Sequence, residues 1–445
     1  MSESFSLSEP PALSAAMAAA AQAVRDVLAG RSLTDALAAL PADRRPAAQA
    51  IAFHAMRTLG RARAVRQALV ERAPAPAADA LLLVALCLLD AALHHQDGAD
   101  APGPRYAPHT VVDQAVRAAA AHKSLAPYKN LVNAVLRRYG RERDAVLAGL
   151  ENDLEARWNH PAWWVETLRA AYPARWRDLL AAADAHAPLA LRVNRRRAGR
   201  DEVIQAFARH GIAAVPVQEW GLVLDTPRPV AQLPGYDEGW WSVQDPGAQR
   251  AAPLLDVRDG MRVLDACAAP GGKTAHLLES ADIDLLALDA DPVRLQRVRQ
   301  NLDRLGLAGS RVRLAAGDAA DPAAWWDGKP YDAVLADVPC TASGIVRRHP
   351  DIRWLRRRAD IGRTAALQRR IADALWRVVA PGGRLLYATC SIFPEEGLRQ
   401  AEAFARRHPD AGLLPADGQL LPGNADAPPA GQHDGFFYAL FAKKA

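Results

Sequence analysis

The stretch Leu264-Asp265-Ala266-Cys267-Ala268-Ala269-Pro270-Gly271-Gly272-Lys273-Thr274 decides the fold. Arg262 to Ala266 is short and apolar and predicts a strand, followed by a glycine-rich turn and a helix that begins near Lys273. Outward from it, the same alternation continues. Leu285 to Asp289 predicts a strand, and Val293 to Leu305 a helix that ends at Gly306. Val312 to Ala315, Tyr331 to Ala336 and Arg384 to Thr389 predict further strands, and Thr364 to Val379 a helix stopped by Pro381-Gly382-Gly383. Short apolar strands alternating with helices predict an α/β domain with a doubly wound, mostly parallel sheet. Ligands of such sheets bind at the C-terminal strand edge, so the residues at strand ends are the ones to read.

The turn excludes two ligand types. A Walker phosphate loop needs glycine five residues before Gly272-Lys273-Thr274, and that position is Cys267. The G-x-G-x-x-G fingerprint of dinucleotide folds is absent as well. What remains is a turn in which Gly271 and Gly272 let main chain approach a ligand, with helix amides just behind. Asp289, at the end of the second strand, is placed to accept from ribose hydroxyls, and Asp318 after the third to hold an adenine amino group. With Asp265 these make three acidic strand ends in succession. They suit S-adenosylmethionine, whose adenosine and amino-acid ends need acceptors and whose sulfonium carries no phosphate. An ordinary tight turn is the alternative for Gly271-Gly272 taken alone.

The next two strand ends carry cysteine: Asp337-Val338-Pro339-Cys340-Thr341 and Tyr387-Ala388-Thr389-Cys390-Ser391. With the first strand central, strands four and five lie on one side of the switch point, so both thiols can face one cleft. A single cysteine is more often a small buried hydrophobe. Two at adjacent strand ends suit carbon 5 of a pyrimidine, which is too electron-poor to attack a sulfonium methyl. A thiolate adding to carbon 6 makes carbon 5 nucleophilic, and a second acid/base group helps the later release. Asp337 could hydrogen-bond N3 and the exocyclic amine of cytosine.

The rest of the chain is read as three parts. Residues 1–11 are a polar tail. From 12 to 150, alanine-rich stripes at helical spacing predict six or seven helices and no strand, with Lys129, Arg137 and Arg138 on the solvent side of the last. From 151 to 235 a small α/β unit is expected, with a strand at Leu191-Arg192-Val193-Asn194, a helix from Asp201 to His210 and a strand from Ile212 to Val217. Arg195-Arg196-Arg197 follows its first strand, where a loop would display it beside Trp158, Trp163, Trp164 and Trp176; such a set suits stacking and phosphate contact, although tryptophans are more often core. The α/β sheet domain then runs from 236 to 445.

Composition sets the outer bounds. The 445 residues are 50% hydrophobic and 24% charged with a net charge of +5, enough for packed cores and compatible with a nucleic-acid partner. Four cysteines without a C-x-x-C pair exclude a disulfide framework and a structural zinc site, so no metal is expected. The longest apolar run, Ala80 to Leu89, is too short for a bilayer, and the first residues lack a signal-peptide pattern; a soluble, cytoplasmic protein with no membrane partner is expected. Between 341 and 370, nine arginines face two aspartates, and Arg347 and Arg348, just past Cys340, are expected to hold phosphates beside a flipped base. His349 reads as structural.

Asp337-Val338-Pro339-Cys340 and Thr389-Cys390-Ser391, behind Ala268-Ala269-Pro270-Gly271-Gly272-Lys273-Thr274, resemble the RNA cytosine-C5 methyltransferases of the NOL1/NOP2/Sun family. Asn130-Leu131-Val132-Asn133-Ala134-Val135-Leu136-Arg137-Arg138 resembles a NusB-like RNA-binding domain, and Leu191-Arg192-Val193-Asn194 the family's small middle domain. The resemblance covers nearly the whole chain beyond the tail. It implies a Rossmann-like class I methyltransferase domain preceded by an all-α NusB-like domain and a small α/β domain. It further implies Cys390 as nucleophile and Cys340 as the promoter of release. Cys267, Ala268, Ala269, Pro270, Gly271, Gly272, Lys273, Asp289, Asp318 and Asp337 would line the site for cofactor and target base, with Lys273 approaching the base. The implied substrate is 16S ribosomal RNA before full subunit assembly, with a monomeric enzyme. Val338 departs slightly from the small residue expected between Asp337 and Pro339. The same chemistry on transfer RNA or large-subunit RNA, and an RNA-binding protein without catalysis, are the alternatives.

Overall fold

The computed structural model describes residues 12–96, 103–226, 228–423, 428 and 431–445; the expected tail at 1–11 lies outside them. The chain forms two compact units, one of Met1–Leu180 with Arg348–Arg357 and one of Ala181–Arg347 with Arg358–Ala445.

The first unit is helical. Its elements are α1 (Leu13–Leu28), α2 (Leu33–Ala38), α3 (Arg45–Leu69), α4 (Pro76–Gln96), α5 (Pro108–Ala121), α6 (Lys129–Ala148), α7 (Leu154–Trp158) and α8 (Ala162–Ala171), with α9 (Trp176–Asp184) straddling the division. The expected helices up to residue 150 are α1 to α6, with no strand among the described residues. The apolar run at Ala80–Leu89 belongs to a longer helix than the sequence suggested: α4 has 21 residues and by length and composition could cross a membrane. Here it is the core helix. Every residue from Ala80 to Leu89 is buried, with α4 packed against α1 and α3. Two of the tryptophans, Trp164 and Trp176, are buried, and each meets a half-buried one: Trp158 and Trp176 edge to face at 5.0 Å, and Trp163 and Trp164 at 5.3 Å. On α6, Val132, Val135, Leu136 and Tyr139 are buried, which leaves Lys129, Arg137 and Arg138 exposed.

The second unit opens with a four-stranded antiparallel sheet. It comprises β1 (Ala190–Val193), α10 (Arg200–Arg209), β2 (Ala214–Val217), β3 (Gly221–Leu224) and β4 (Trp241–Val243), in strand order β2-β3-β1-β4. After α11 (Ala251–Leu255) come β5 (Arg262–Ala266), α12 (Gly272–Ser280), β6 (Asp284–Asp289), α13 (Pro292–Leu305), β7 (Val312–Ala316) and β8 (Tyr331–Asp337). Then follow α14 (Ile352–Leu355), α15 (Arg358–Val378), β9 (Val379–Thr389), α16 (Leu398–Arg407), β10 (Ala411–Leu420) and β11 (Phe436–Lys443). The seven-stranded sheet has the order β10-β11-β9-β8-β5-β6-β7. The five strands from β9 to β7 are parallel neighbours, while β11 and β10 join antiparallel. β9 starts earlier than expected: Pro381-Gly382-Gly383 lies inside it, where Gly382 has φ +77°.

The segment 348–357 leaves the sheet unit and belongs to the helical one. Asp351 accepts from the Leu33 amide at 2.9 Å, and the Trp354 indole donates to the Met56 carbonyl at 2.7 Å. Arg353 is fully buried and donates to the Asn159 carbonyl at 3.0 Å.

Within the sheet unit, buried ions join the small sheet to the large one. Arg192, on β1, has no exposed surface. It donates to both carboxylate oxygens of Glu279 on α12 at 2.8 Å each, to the Gly272 carbonyl at 2.9 Å and to Gln244. A bidentate guanidinium–carboxylate pair with its remaining donors satisfied is the geometry in which burial of two charges is tolerated. Arg195, Arg196 and Arg197 follow β1 and are exposed, and two of them also have partners within the fold. Arg195 donates to the carbonyls of Glu279 and Ser280, and Arg197 to that of Leu305. Two of the three therefore cap the C-terminal ends of α12 and α13, where orphan carbonyls and the helix dipole favour a cation. Arg192→Met leaves Glu279 buried and uncompensated and is expected to cost about 3–5 kcal/mol, read from urea unfolding. Arg192→Met with Glu279→Leu should recover most of that loss; equal midpoints for the single variant and wild type would refute the account.

Candidate active site

β5 is central in the parallel array, with β8 and β9 on one side and β6 and β7 on the other. The loop after β5 turns sharply. Cys267 adopts φ +65° and Gly271 φ +96°. A Cβ on Gly271 would stand 3.0 Å from Val298 Cγ1, so glycine is needed there for packing against α13 as well as for its backbone angle. Asp289 is buried, and its carboxylate accepts from the amides of Ala269 and Asp291, both at 3.0 Å. It thereby holds the 267–272 turn as well as facing the strand edge. Asp318 is exposed and accepts from the Ala320 amide at 2.8 Å.

Asp265, buried at the end of β5, accepts from the Thr274 hydroxyl at 2.6 Å through one oxygen. The other oxygen has no hydrogen-bond partner. Such an orphan acceptor is costly unless a donor arrives, and a ligand ammonium or hydroxyl is a donor of the right kind. Burial is the main cause that pushes the Asp265 carboxyl up to about 7. The Cys267 thiol is likewise pushed well up, first by burial and then by the surrounding aspartates Asp337, Asp289 and Asp265. It is an inert thiol at neutral pH.

The two expected thiols meet. Cys340 Sγ lies 3.4 Å from Cys390 Sγ, both half-buried. The Ala342 amide donates to Cys340 Sγ at 3.3 Å. The hydrogen bond to Cys390, then burial, then the charges of Cys390 and Glu396 hold the Cys340 thiol well above its usual range. Beside them Lys273 Nζ sits 2.6 Å from Asp337 Oδ2. Burial opposes the lysine's charge, but Asp337 outweighs it and holds the ammonium above its ordinary pKa. Lys273 also lies 5.6 Å above the Phe436 ring.

Several residues that shape this edge escaped the sequence reading. Glu396, Gln368, Thr341 and Ser391 are fully buried polar groups around the cysteine turns. The sequence shows only an acidic pair, Glu395-Glu396, five and six residues past Cys390, with nothing to say which of the two is buried. The expected phosphate contact of Arg347 is not supported: the side chain is 2% exposed and paired with Asp434, with a further bond to the Gln432 carbonyl at 3.1 Å. Arg348 is partly exposed and His349 exposed. No cluster of three or more His, Cys, Asp or Glu suited to a metal ion occurs among the described residues.

Residues 252–442 match the model of the family described as 16S rRNA methyltransferase RsmB/F, and residues 160–231 that of the RsmF/B-like ferredoxin-like domain. The ribosomal RNA small subunit methyltransferase B of Vibrio cholerae serotype O1 is 40% identical over 439 residues, covering 96% of this chain and 97% of its own. The chain belongs to the RsmB/F family of 16S rRNA methyltransferases. The crystal structure of PH0851 superposes with TM-score 0.76 at 26% identity, over 98% of this chain and 100% of that one. NSun6 from Pyrococcus horikoshii with SFG, an S-adenosylmethionine analogue, superposes with TM-score 0.56 at 20% identity, over 64% and 98% of the two chains, and shares the fold.

As an RsmB/F enzyme the protein methylates ribosomal RNA and uses S-adenosylmethionine. The buried orphan oxygen of Asp265 fits that cofactor, as does a turn whose main chain is held by Asp289 rather than by phosphate. Asp265 also gives a pH signature. Its folded-state pKa lies above the unfolded value, so the folded protein binds the extra proton between about pH 4 and 7 and loses stability as pH rises through that window. Without cofactor, Asp265→Asn should flatten that part of the profile, read from urea midpoints between pH 4 and 8. Parallel profiles for variant and wild type would remove Asp265 as the cause.

Proposed function

We propose that the enzyme methylates carbon 5 of a cytosine in 16S rRNA through a covalent bond between Cys390 and carbon 6. One observation carries the reading: two thiols 3.4 Å apart at the ends of adjacent parallel strands, beside the Lys273–Asp337 pair. A sulfur pair is of no use to a methyltransferase acting on an oxygen or an amine. It is what carbon 5 needs.

Cys390 adds to carbon 6; the S–C6 bond forms and the C5=C6 electrons make carbon 5 nucleophilic. S-adenosylmethionine supplies the methyl group to that carbon. Cys340 promotes release as the base: its thiolate takes the carbon 5 proton while the C6–S bond breaks to return Cys390 as thiolate. Asp337, half-buried and ion-paired with Lys273, would accept from the exocyclic amine and from a proton gained at N3 as charge builds on the ring. Cys267, Ala268, Ala269, Pro270, Gly271, Gly272 and Lys273, with Asp289 and Asp318, form the cofactor wall.

Both sulfurs are half-buried, so the cytosine must leave its stack to reach them, which favours RNA not yet locked in a finished subunit, in the cytoplasm. The three-part division at 12–150, 151–235 and 236–445 belongs to this reading, with the helical part binding RNA. The exposed cations of α6 support it.

With labelled S-adenosylmethionine and unmodified 16S rRNA, Cys390→Ala should lose methylation by on the order of 10³-fold or more and form no denaturant-stable adduct. Cys340→Ala should accumulate that adduct. The reverse pattern would exchange the two roles, and label at another atom would end the carbon 5 reading. Replacing Lys129, Arg137 and Arg138 by Ala should lower the slope of log affinity against log salt by about 0.7–0.9 for each phosphate the variant no longer neutralises. An unchanged slope would take α6 out of the RNA footprint.

A further inference from the structure

The side chain of Glu396 has no exposed surface, and no cation neutralises it among the described residues. It accepts five hydrogen bonds from neutral groups. Oε1 takes the Thr341 amide at 2.9 Å, the Thr364 hydroxyl at 2.6 Å and the Gln368 amide nitrogen at 3.2 Å. Oε2 takes the Ser391 hydroxyl at 2.6 Å and the Thr341 hydroxyl. Thr341 follows Cys340 and Ser391 follows Cys390. One oxygen therefore bridges the two cysteine turns, and the other ties the first turn to α15.

The surroundings hold this bracket in place. The Tyr387 hydroxyl shares its one proton between the Glu396 carbonyl at 2.9 Å and Gln368 Oε1 at 3.1 Å. Gln368 also donates to the Pro339 carbonyl at 2.9 Å, just before Cys340. The turns touch directly as well: the Ser343 and Ser391 hydroxyls are 2.9 Å apart, and the Gly344 amide donates to the Cys390 carbonyl at 2.9 Å.

An unpaired buried carboxylate is costly, and a hydrophobic residue of similar size would pack without that cost. Only a group with two acceptor oxygens can take both hydroxyls on one and the amide donors on the other; glutamine offers a single acceptor. We propose that Glu396 is the positioning residue of the cysteine pair, bracketing the Cys340 and Cys390 turns so that the two sulfurs stay at reacting distance. Its negative charge also raises the Cys340 thiol, after the hydrogen bond to Cys390 and burial. The inference rests on the reading that the two thiols act together in one reaction.

The test needs neither RNA nor cofactor. Phenylarsine oxide condenses with two close thiols, forming two As–S bonds and releasing water, and single thiols do not hold it. The full-length wild type should capture it, and Cys340→Ala and Cys390→Ala should not. Glu396→Gln, with its melting transition retained, should capture at least about tenfold more slowly, a modest loss beside what an ångström of misplacement can cause. Iodoacetamide should still alkylate both cysteines in that variant, with Cys340 reacting at lower pH than in wild type. Should Glu396→Gln fail to fold, Thr341→Val decides: it removes one bridging hydroxyl and should also slow capture. Wild-type capture rates in the folded variant, or in Thr341→Val, would overturn the proposal. A wild type that captures the arsenical but labels RNA elsewhere than carbon 5 would overturn the functional reading and leave the bracket standing.

Discussion

The site depends on β8 and β9 being hydrogen-bonded parallel neighbours. Their register sets Asp337 opposite Ala388. Both chains run in the same direction, so both leave the sheet at the same edge, β8 three residues before Cys340 and β9 one before Cys390. No covalent link brings the sulfurs together. A parallel ladder, whose strands must be joined by a long crossover, places residues 50 positions apart at 3.4 Å. A slip of one residue would turn one cysteine to the other face of the sheet, and the pair would be lost. The packed apolar faces on both sides of β8 and β9 make that slip expensive, with Ala333, Val334, Leu335 and Ala336 all buried.

Charge counting and charge placement gave different pictures. The arginine excess after Cys340 looked like one basic patch, but its members have separate tasks. Arg347 is an internal ion-pair partner of Asp434, and Arg353 is buried in the helical unit against the Asn159 carbonyl. Arg195 and Arg197 end helices. Guanidinium suits such places because it stays charged and offers five donors in a fixed fork. An arginine-rich stretch thus carries no fixed meaning until the carbonyls and carboxylates around it are known.

What was legible in the sequence follows from the same physics. The five parallel strands are short apolar runs ended by Gly, Asp or Cys, and their ends carry the chemistry, so the 265–273 turn and both thiols could be placed from the residues alone. The antiparallel additions were less visible. β3, Gly221–Leu224, and β4, Trp241–Val243, are four and three residues long, and β11 is an almost wholly apolar run with no chemical residue at its end to draw notice. Glu396 was illegible for a different reason. Its surroundings come from three separate parts of the chain, near 341, 364–368 and 391, and nothing in its own neighbourhood distinguishes it from Glu395, which pairs with Arg399 four residues on.

The contrast between Arg192–Glu279 and Glu396 separates two uses of a buried charge. In the first, two opposite charges meet with full hydrogen bonding, and the result ties two sheets into one unit. In the second, among the described residues, the carboxyl has no counter-ion and is met by neutral donors from both cysteine turns and from α15. Stability alone argues against the second arrangement, since neutral donors repay less of the desolvation cost than an arginine would. The bracket instead answers two demands of position: one oxygen joins the two cysteine turns, and the other ties the first of them to α15. A residue that satisfies both demands costs stability where the chemistry needs geometry.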